Sequence, residues 1–412
     1  MQSIITTMSK IKIGILKEGK TPPDERVPFT PEQIRGILDA NPNLDIEVQT
    51  SNIRCFKDEK YSNLDIPVVS SVENCDIIMG VKEVPIKQLI DNKTYFFFSH
   101  TFKKQPYNRD LLRAILDKKI TLIDYEGLAK NGNRVLGFGR YAGIVGCYNA
   151  FITYGKRYKL YNLKPAHECE DREEMEAELA KVKLDPKYPL RIALTGNGRV
   201  ANGAMEVLEF MKIPKVDVNT YLNENHTGAV YCQLIVTDYN KRKDGTEGSI
   251  QEFFREPELY DGNFMRFAAK TDLYIACHFW KKGSPFIFTR ENAKSVGFKI
   301  KVVADISCDI DGPVASTLRP STIADPIYGY DPHTEAETPY DDAKGIAVMA
   351  VDNLPCELPK DASKDFGNEF IKNVLPALFN NDVDEVLKNA TITKNGLLTE
   401  KYLYLTDYVE GK

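Results

Sequence analysis

Leu194-Thr195-Gly196-Asn197-Gly198-Arg199-Val200-Ala201-Asn202-Gly203 is the stretch on which the fold of this chain turns. It follows an apolar run at 190–195, introduced by Tyr188-Pro189, and precedes 204–211, whose composition suits a helix. Gly196, Gly198 and Ala201 fit the G-x-G-x-x-[G/A] spacing: the first allows a tight turn, the second lets backbone approach a pyrophosphate, and the small third residue lets helix pack on strand. The phosphates would rest on the helix N-terminus, where free N–H groups and the helix dipole favour anions. Gly196, Gly198, Arg199, Val200 and Ala201 are therefore expected to hold a dinucleotide. The acid that usually binds its ribose is less defined. Asp217 lies at about the right distance but inside an expected strand, with Asn219 at that strand's end, so either NAD or NADP fits.

Outward from this loop, residues 190–195 open an alternating series with β-type runs at 215–219, 230–237, 272–277, 300–305 and 345–351. Residues 11–16 open an earlier series, continued at 44–48, 75–81, 94–99 and 120–124. Helical stretches lie between several of these runs. One begins at Thr30-Pro31-Glu32-Gln33, with proline at its first position, and another spans 109–118. Such alternation implies parallel sheets with crossover helices. Residues 139–158 read as a long helix leaving the first domain, and the acidic stretch 168–183 as a surface helix near a boundary. The tail is expected to be helical at 364–378 and sheet-like at 402–405, packing back on the first domain. Segment 238–267 has the look of an insert.

At 412 residues the chain exceeds what one core usually serves, so two domains are expected. Hydrophobic residues at 42% and charged residues at 27% describe a globular protein. A net charge of −5 argues against a nucleic-acid or anionic-membrane surface, and Lys241-Arg242-Lys243 reads as a solvated loop. No stretch approaches the ~18 apolar residues of a membrane span, and residues 1–10 lack a secretory signal. A cytoplasmic enzyme is the expectation. The eight cysteines are scattered singly and read as buried thiols.

In the first series, Gly80-Val81-Lys82-Glu83-Val84-Pro85 ends one strand with a lysine and Phe96-Phe97-Phe98-Ser99-His100-Thr101 ends the next with a histidine. Ligands of open parallel sheets bind beyond the carboxyl ends of the strands, so Lys82 and His100 can converge as an acid–base pair. A solvated lysine and a structural histidine are the alternative. Arg26 and Arg140, in loops after β-type segments, suit bidentate carboxylate binding or surface ion pairs. Residues 305–313 (DISCDIDGP) crowd three carboxylates without a defined ligand spacing; no metal is expected, and the run suits a loop at the nicotinamide end of a cofactor cleft.

Lys17-Glu18, Glu25-Arg26, Thr30-Pro31, Val81-Lys82-Glu83, His100 and the later glycine loop together resemble the alanine dehydrogenase and saccharopine dehydrogenase superfamily. Further segments are similar to its lysine–ketoglutarate reductase branch: Phe98-Ser99-His100-Thr101 with Gln105-Pro106-Tyr107-Asn108, Phe138-Gly139-Arg140-Tyr141-Ala142-Gly143, Ala304-Asp305-Ile306-Ser307-Cys308-Asp309, and Val351-Asp352-Asn353-Leu354-Pro355. The resemblance implies two Rossmann-like α/β domains with parallel sheets and an active-site cleft between them. The first (1–140 and 355–412) is discontinuous and completed by the C-terminal segment, and the second (141–354) binds the dinucleotide. It implies roles too: Lys82 as base toward amine or water, His100 as acid–base group at the carbonyl or carbinolamine oxygen, Arg26, Arg140 and Tyr141 as substrate contacts, and Asp352 near the nicotinamide ribose.

The expected reaction converts saccharopine, water and NAD or NADP to lysine, 2-oxoglutarate and reduced cofactor, in either direction. The alternatives are an alanine dehydrogenase-like reductive aminase of a small 2-oxo acid and a non-catalytic dinucleotide-binding regulatory module.

Overall fold

The computed structural model describes residues 10–187 and 189–412; residues 1–9 and Tyr188, on which the absent signal and the strand's lead-in were read, lie outside the described residues. The chain forms two compact units, one from residues up to Phe138 with Pro359–Lys412, the other Gly139–Leu358.

The first unit is built on an eight-stranded sheet. Six strands are parallel, in the order Thr121–Asp124, Thr94–Phe97, Ile77–Met79, Ile11–Ile15, Leu44–Gln49, Val68–Val69. Ile77, Ile78 and Met79 are all buried, the mark of a strand covered on both faces. The helix Pro31–Ala40 starts as its sequence requires. Thr30 caps it by accepting from Gln33 N, the Gln33 side chain returns to Thr30 N, and proline takes the first turn, where no N–H is needed.

The C-terminal segment completes this unit. Helix Pro359–Asn373 is tied on when Gln33 Nε2 donates to Lys364 O and to Asn368 Oδ1, and when Val27 N donates to Ser363 Oγ. Its Phe370 packs edge-on against Phe29 at 5.1 Å and Phe96 at 5.9 Å. Thr391–Lys394 then joins one sheet edge antiparallel to Thr121–Asp124, so the sheet is parallel except at that edge. The expected sheet-like piece at 402–405 is instead part of the short 3-10 helix Glu400–Leu405, and the pairing role falls to Thr391–Lys394 eleven residues earlier.

The second unit carries a seven-stranded sheet, Val230–Leu234, Arg191–Thr195, Leu273–Ala276, Val302–Asp305, Ile346–Met349, Ile327–Asp331, Ala336–Thr338. The first five are parallel and the last two antiparallel. The expected strand at 215–219 is not one: Lys215 makes a single parallel bridge to Tyr231, after which Asp217 caps helix Val218–Asn223. An aspartate before a helix-compatible run satisfies free N–H groups at lower cost than it could inside a buried strand. Residues 139–158 form one helix with their expected bounds, Gly139–Tyr158. Segment 238–267 contributes a two-stranded antiparallel pair, Asn240–Arg242 with Tyr260–Gly262, and the helix Ile250–Arg255 between them. Arg242, read as part of a solvated run, is ion-paired to Asp244 and Glu252.

Candidate functional site

Gly196 sits at φ +110°, a region costly for any other residue, and a Cβ there would lie 2.5 Å from Cys277 O. Gly198 caps the helix Arg199–Phe210, and a Cβ on it would meet nothing within 4 Å. The open space beside Gly198, in front of a helix N-terminus, is a cradle shaped for an anion. It belongs to a cavity of about 390 Å³ whose walls include Gly196 to Val200, with Cys277, His278 and Phe279 after the neighbouring strand and Ser307 and Asp309 after the next. This is the position at which the crossover connections diverge to either side of the first strand, where open α/β sheets bind ligands. Ala201 is buried beneath the loop.

Tyr239, Ile250 and Phe254, all from the unplaced segment 238–267, form one wall of this cavity opposite Phe279. Phe254 and Phe279 have ring centroids 6.2 Å apart. Asp217, considered as the ribose acid, spends its carboxylate on Asn219 N and Thr220 N and Oγ1. His278 is buried, with Nδ1 3.0 Å from Thr195 Oγ1, and burial pulls its pKa down to about 4, so it is a neutral imidazole. Ser307 Oγ donates to His278 O at 2.7 Å. Asp305 is buried under Thr317 Oγ1 and Cys308 N, and desolvation raises its pKa to about 6. Asp352 is exposed in the turn after Val351 and is not among the residues lining the cavity. Among the described residues no cluster of three or more His, Cys, Asp or Glu suited to a metal ion occurs.

Lys82 and His100 each stand three residues past the end of two paired strands, Ile77–Met79 and Thr94–Phe97. Glu18, buried at the end of Ile11–Ile15, accepts from Val81 N at 2.6 Å and Lys82 N at 3.1 Å, which fixes the backbone that carries Lys82. Burial outweighs those two hydrogen bonds and lifts the Glu18 carboxyl to about 7. His100 has a left-handed backbone, φ 53°, of the kind that persists where surrounding structure enforces it. Here Ser99 supplies the enforcement, since its N and Oγ both donate to buried Asp124 Oδ2, at 2.8 and 2.5 Å.

Glu83 links the lysine and histidine loops. Its Oε1 lies 2.7 Å from His100 Nδ1 and its Oε2 2.6 Å from Lys20 Nζ. Burial opposes ionisation of Glu83, but these partners prevail and hold its pKa at about 2. Arg26, also buried, gives Nε and Nη2 to Asp24 and lays its guanidinium 4.2 Å from the Phe138 ring centroid. Asp24 is held at about 2 by that guanidinium against the pull of burial, with Lys82 adding in the same direction. Arg26 thus lies near Lys82 in charge terms, already married to a carboxylate of its own.

Arg140 and Tyr141 belong to the second unit, in the first turn of Gly139–Tyr158. The Arg140 guanidinium grips Glu206 through Nε and Nη2, at 2.7 and 2.8 Å, and Glu206 is shared with Arg172. Tyr141 is buried. Gly143, read as part of the same segment, serves packing: a Cβ there would overlap the Val200 carbonyl, and one at Gly203 would overlap the Arg140 carbonyl. Two helices therefore cross backbone to backbone beneath the glycine loop.

Residues 14–145 match the model of the alanine dehydrogenase/PNT N-terminal domain, and residues 229–403 match that of its C-terminal domain. The chain belongs to the alanine dehydrogenase/PNT family. Within this family its relatives include the mitochondrial alpha-aminoadipic semialdehyde synthase of Mus musculus, 28% identical over 94% of this chain and 47% of the relative. The Arabidopsis thaliana synthase is 27% identical over 95% of this chain and 41% of its own length. The chain spans about half the length of these relatives. The Schizosaccharomyces pombe saccharopine dehydrogenase (NAD(+), L-lysine-forming) is 25% identical over 87% of this chain and 91% of its own. Among solved structures, an L-alanine dehydrogenase superposes with TM-score 0.63 at 16% identity, covering 97% of this chain and 99% of that one. A Sinorhizobium meliloti transhydrogenase gives 0.59 at 14%, covering 94% and 98%. Both share the alanine dehydrogenase/PNT fold.

Sequence reading of this alanine dehydrogenase/PNT chain named Lys82, His100 and Arg26 but assigned no role to Glu83, Glu18, Asp24 or Lys20. Glu83 was legible in principle, as an acid adjoining a strand-end lysine. Lys20, 63 residues away from it, was not.

Proposed function

We propose that this chain is a nicotinamide-dependent oxidoreductase of the CH–NH group that interconverts saccharopine and water with lysine and 2-oxoglutarate. The observation that carries this reading is the Glu83–His100 pair beside Lys82 at two adjoining strand ends, in a chain whose other unit holds a glycine loop fit for a dinucleotide. The matches to saccharopine dehydrogenase and to the semialdehyde synthases support the choice of substrate.

Gly196, Gly198, Arg199, Val200 and Ala201 would hold the dinucleotide, NAD or NADP, with Asp352 toward its nicotinamide ribose. When bound, that cofactor exchanges hydride with the substrate carbon that bears the nitrogen. The chain's own groups manage protons. Lys82 takes the proton from the secondary ammonium so that the neutral amine can give up hydride, and releases it to solvent. As the free amine it then takes a proton from the water that adds to the resulting iminium and returns that proton to the carbinolamine nitrogen. His100, with Nδ1 held by Glu83, presents Nε2 to the carbinolamine oxygen and removes its proton as the C–N bond breaks and lysine leaves with the proton that Lys82 returned to its nitrogen. Arg26 is assigned to a substrate carboxylate, its position fixed by Asp24 and Phe138. Arg140 is a second carboxylate contact if it exchanges or shares Glu206, with Tyr141 beside it.

The test is oxidation of NADH and of NADPH with lysine plus 2-oxoglutarate, run beside pyruvate plus ammonia. Turnover with the first pair is expected to exceed the second by orders of magnitude. Turnover on pyruvate and ammonia alone would reassign the chain to reductive amination of a small 2-oxo acid, and no turnover with any pair would leave only dinucleotide binding.

A further inference from the structure

A second cavity, of about 170 Å³, lies within the second unit on the face of helix Gly139–Tyr158 that carries Asn149, Ile152 and Lys156. Its residues are distinct from those lining the glycine-loop cavity. Glu357, only 3% exposed, closes one end, with Oε1 accepting from Asn149 Nδ2 at 2.8 Å. His167 approaches the other oxygen, Nδ1 to Oε2 3.8 Å, and Glu168 adjoins it. Glu357 raises the His167 pKa. Lys156, half-buried, has no hydrogen bond or ion pair among the described residues. The remaining wall is aliphatic, with Ile323, Ile327 and Met349.

A buried carboxylate and an unpaired ammonium on one cavity wall would ordinarily seek each other. Here they are kept apart. Seven helical residues separate Asn149, which holds Glu357, from Lys156, roughly 10 Å of rise. One small molecule that offers an ammonium to Glu357 and a carboxylate to Lys156 would serve both groups within the small volume of the cavity. The aliphatic wall then takes its side chain.

We infer that this cavity is a binding site for a free α-amino acid with a short aliphatic side chain, separate from the glycine-loop cavity and from the Lys82–His100 cluster. Glu357 and Asn149 orient the ammonium, Lys156 takes the carboxylate, and Ile152, Ile327 and Met349 contact the side chain.

The probe is L-leucine, titrated calorimetrically into the full chain beside isocaproate, which lacks the ammonium, and isoamylamine, which lacks the carboxylate. Leucine is expected to bind at least about tenfold more tightly than either, since each analogue forfeits one charge-assisted contact. Lys156→Met, which keeps the aliphatic stem, should weaken leucine about tenfold without lowering the melting temperature. Glu357→Gln keeps an acceptor for Asn149 and should weaken it similarly. A Lys82→Met, His100→Gln variant should bind leucine as the parent does. Equal binding of either analogue, loss of binding in the Lys82→Met, His100→Gln variant, parent-like binding by Lys156→Met, or no binding of leucine at millimolar concentration would each overturn the inference.

Discussion

Glu83 Oε1 stands 2.7 Å from His100 Nδ1. The two residues leave different strands, and the contact leaves Nε2 as the ring nitrogen available for chemistry. In a Glu83→Gln variant the ring keeps a polar neighbour but loses the carboxylate that holds Nδ1 and orients it. Turnover is expected to fall about tenfold or more with KM changed much less, measured by steady-state kinetics with lysine and 2-oxoglutarate.

The same carboxylate makes stability depend on acid. Glu83 is held at about 2, well below the ordinary glutamate range, so its contribution is complete above that range and disappears as pH falls toward about 2. Urea midpoints measured downward from neutrality should show the parent losing stability more steeply than Glu83→Gln below about pH 5. Parallel curves would refute the linkage.

Glu18 predicts the opposite slope. Its carboxyl is lifted to about 7, so the folded chain keeps a proton that the unfolded chain releases in the ordinary carboxylate range. Stability contributed by this group therefore falls as pH rises from that range to about 7 and is level above it, by on the order of 3 kcal/mol. Glu18→Gln should flatten the curve between about pH 5 and pH 8 in the same urea experiment.

Two glycines two residues apart in the loop should separate folding from cofactor binding. Gly196→Ala forces a Cβ toward Cys277 O at a left-handed φ and is expected to lower the melting temperature. Gly198→Ala adds its methyl to open space, so melting should be unchanged while affinity for reduced dinucleotide, followed by nicotinamide fluorescence, drops about tenfold or more. Unchanged affinity in Gly198→Ala would remove the loop from the binding site.

The helix crossing gives a prediction about stability alone. Gly143→Ala places a methyl on the Val200 carbonyl, a backbone atom that cannot rotate away, and should cost about 2 kcal/mol or more. Gly36→Ala, in the helix Pro31–Ala40 with nothing within 4 Å, should instead stabilise by about 0.5–1 kcal/mol. Chemical denaturation of the two single variants is the measurement.

Features that are local or periodic can be read from the residues alone. The glycine loop, the Thr30 cap and the helix Gly139–Tyr158 depend on neighbours within a few residues, and so does the placing of Lys82 and His100 past strand ends, so spacing and backbone preference suffice to find them. Tertiary structure decided everything that needs a partner far along the chain. Asp217 became a helix cap because the segment after it found no long strand pairing, and segment 238–267 became a cavity wall because its hairpin and helix reach the ends of strands it does not resemble. Gly143 and Gly203 matter because two helices cross there, a fact neither glycine states alone. Lys20, Glu83 and His100 come together because three separate strand ends lie side by side, and hydrogen bonding acts on distance in space, which sequence separation does not record.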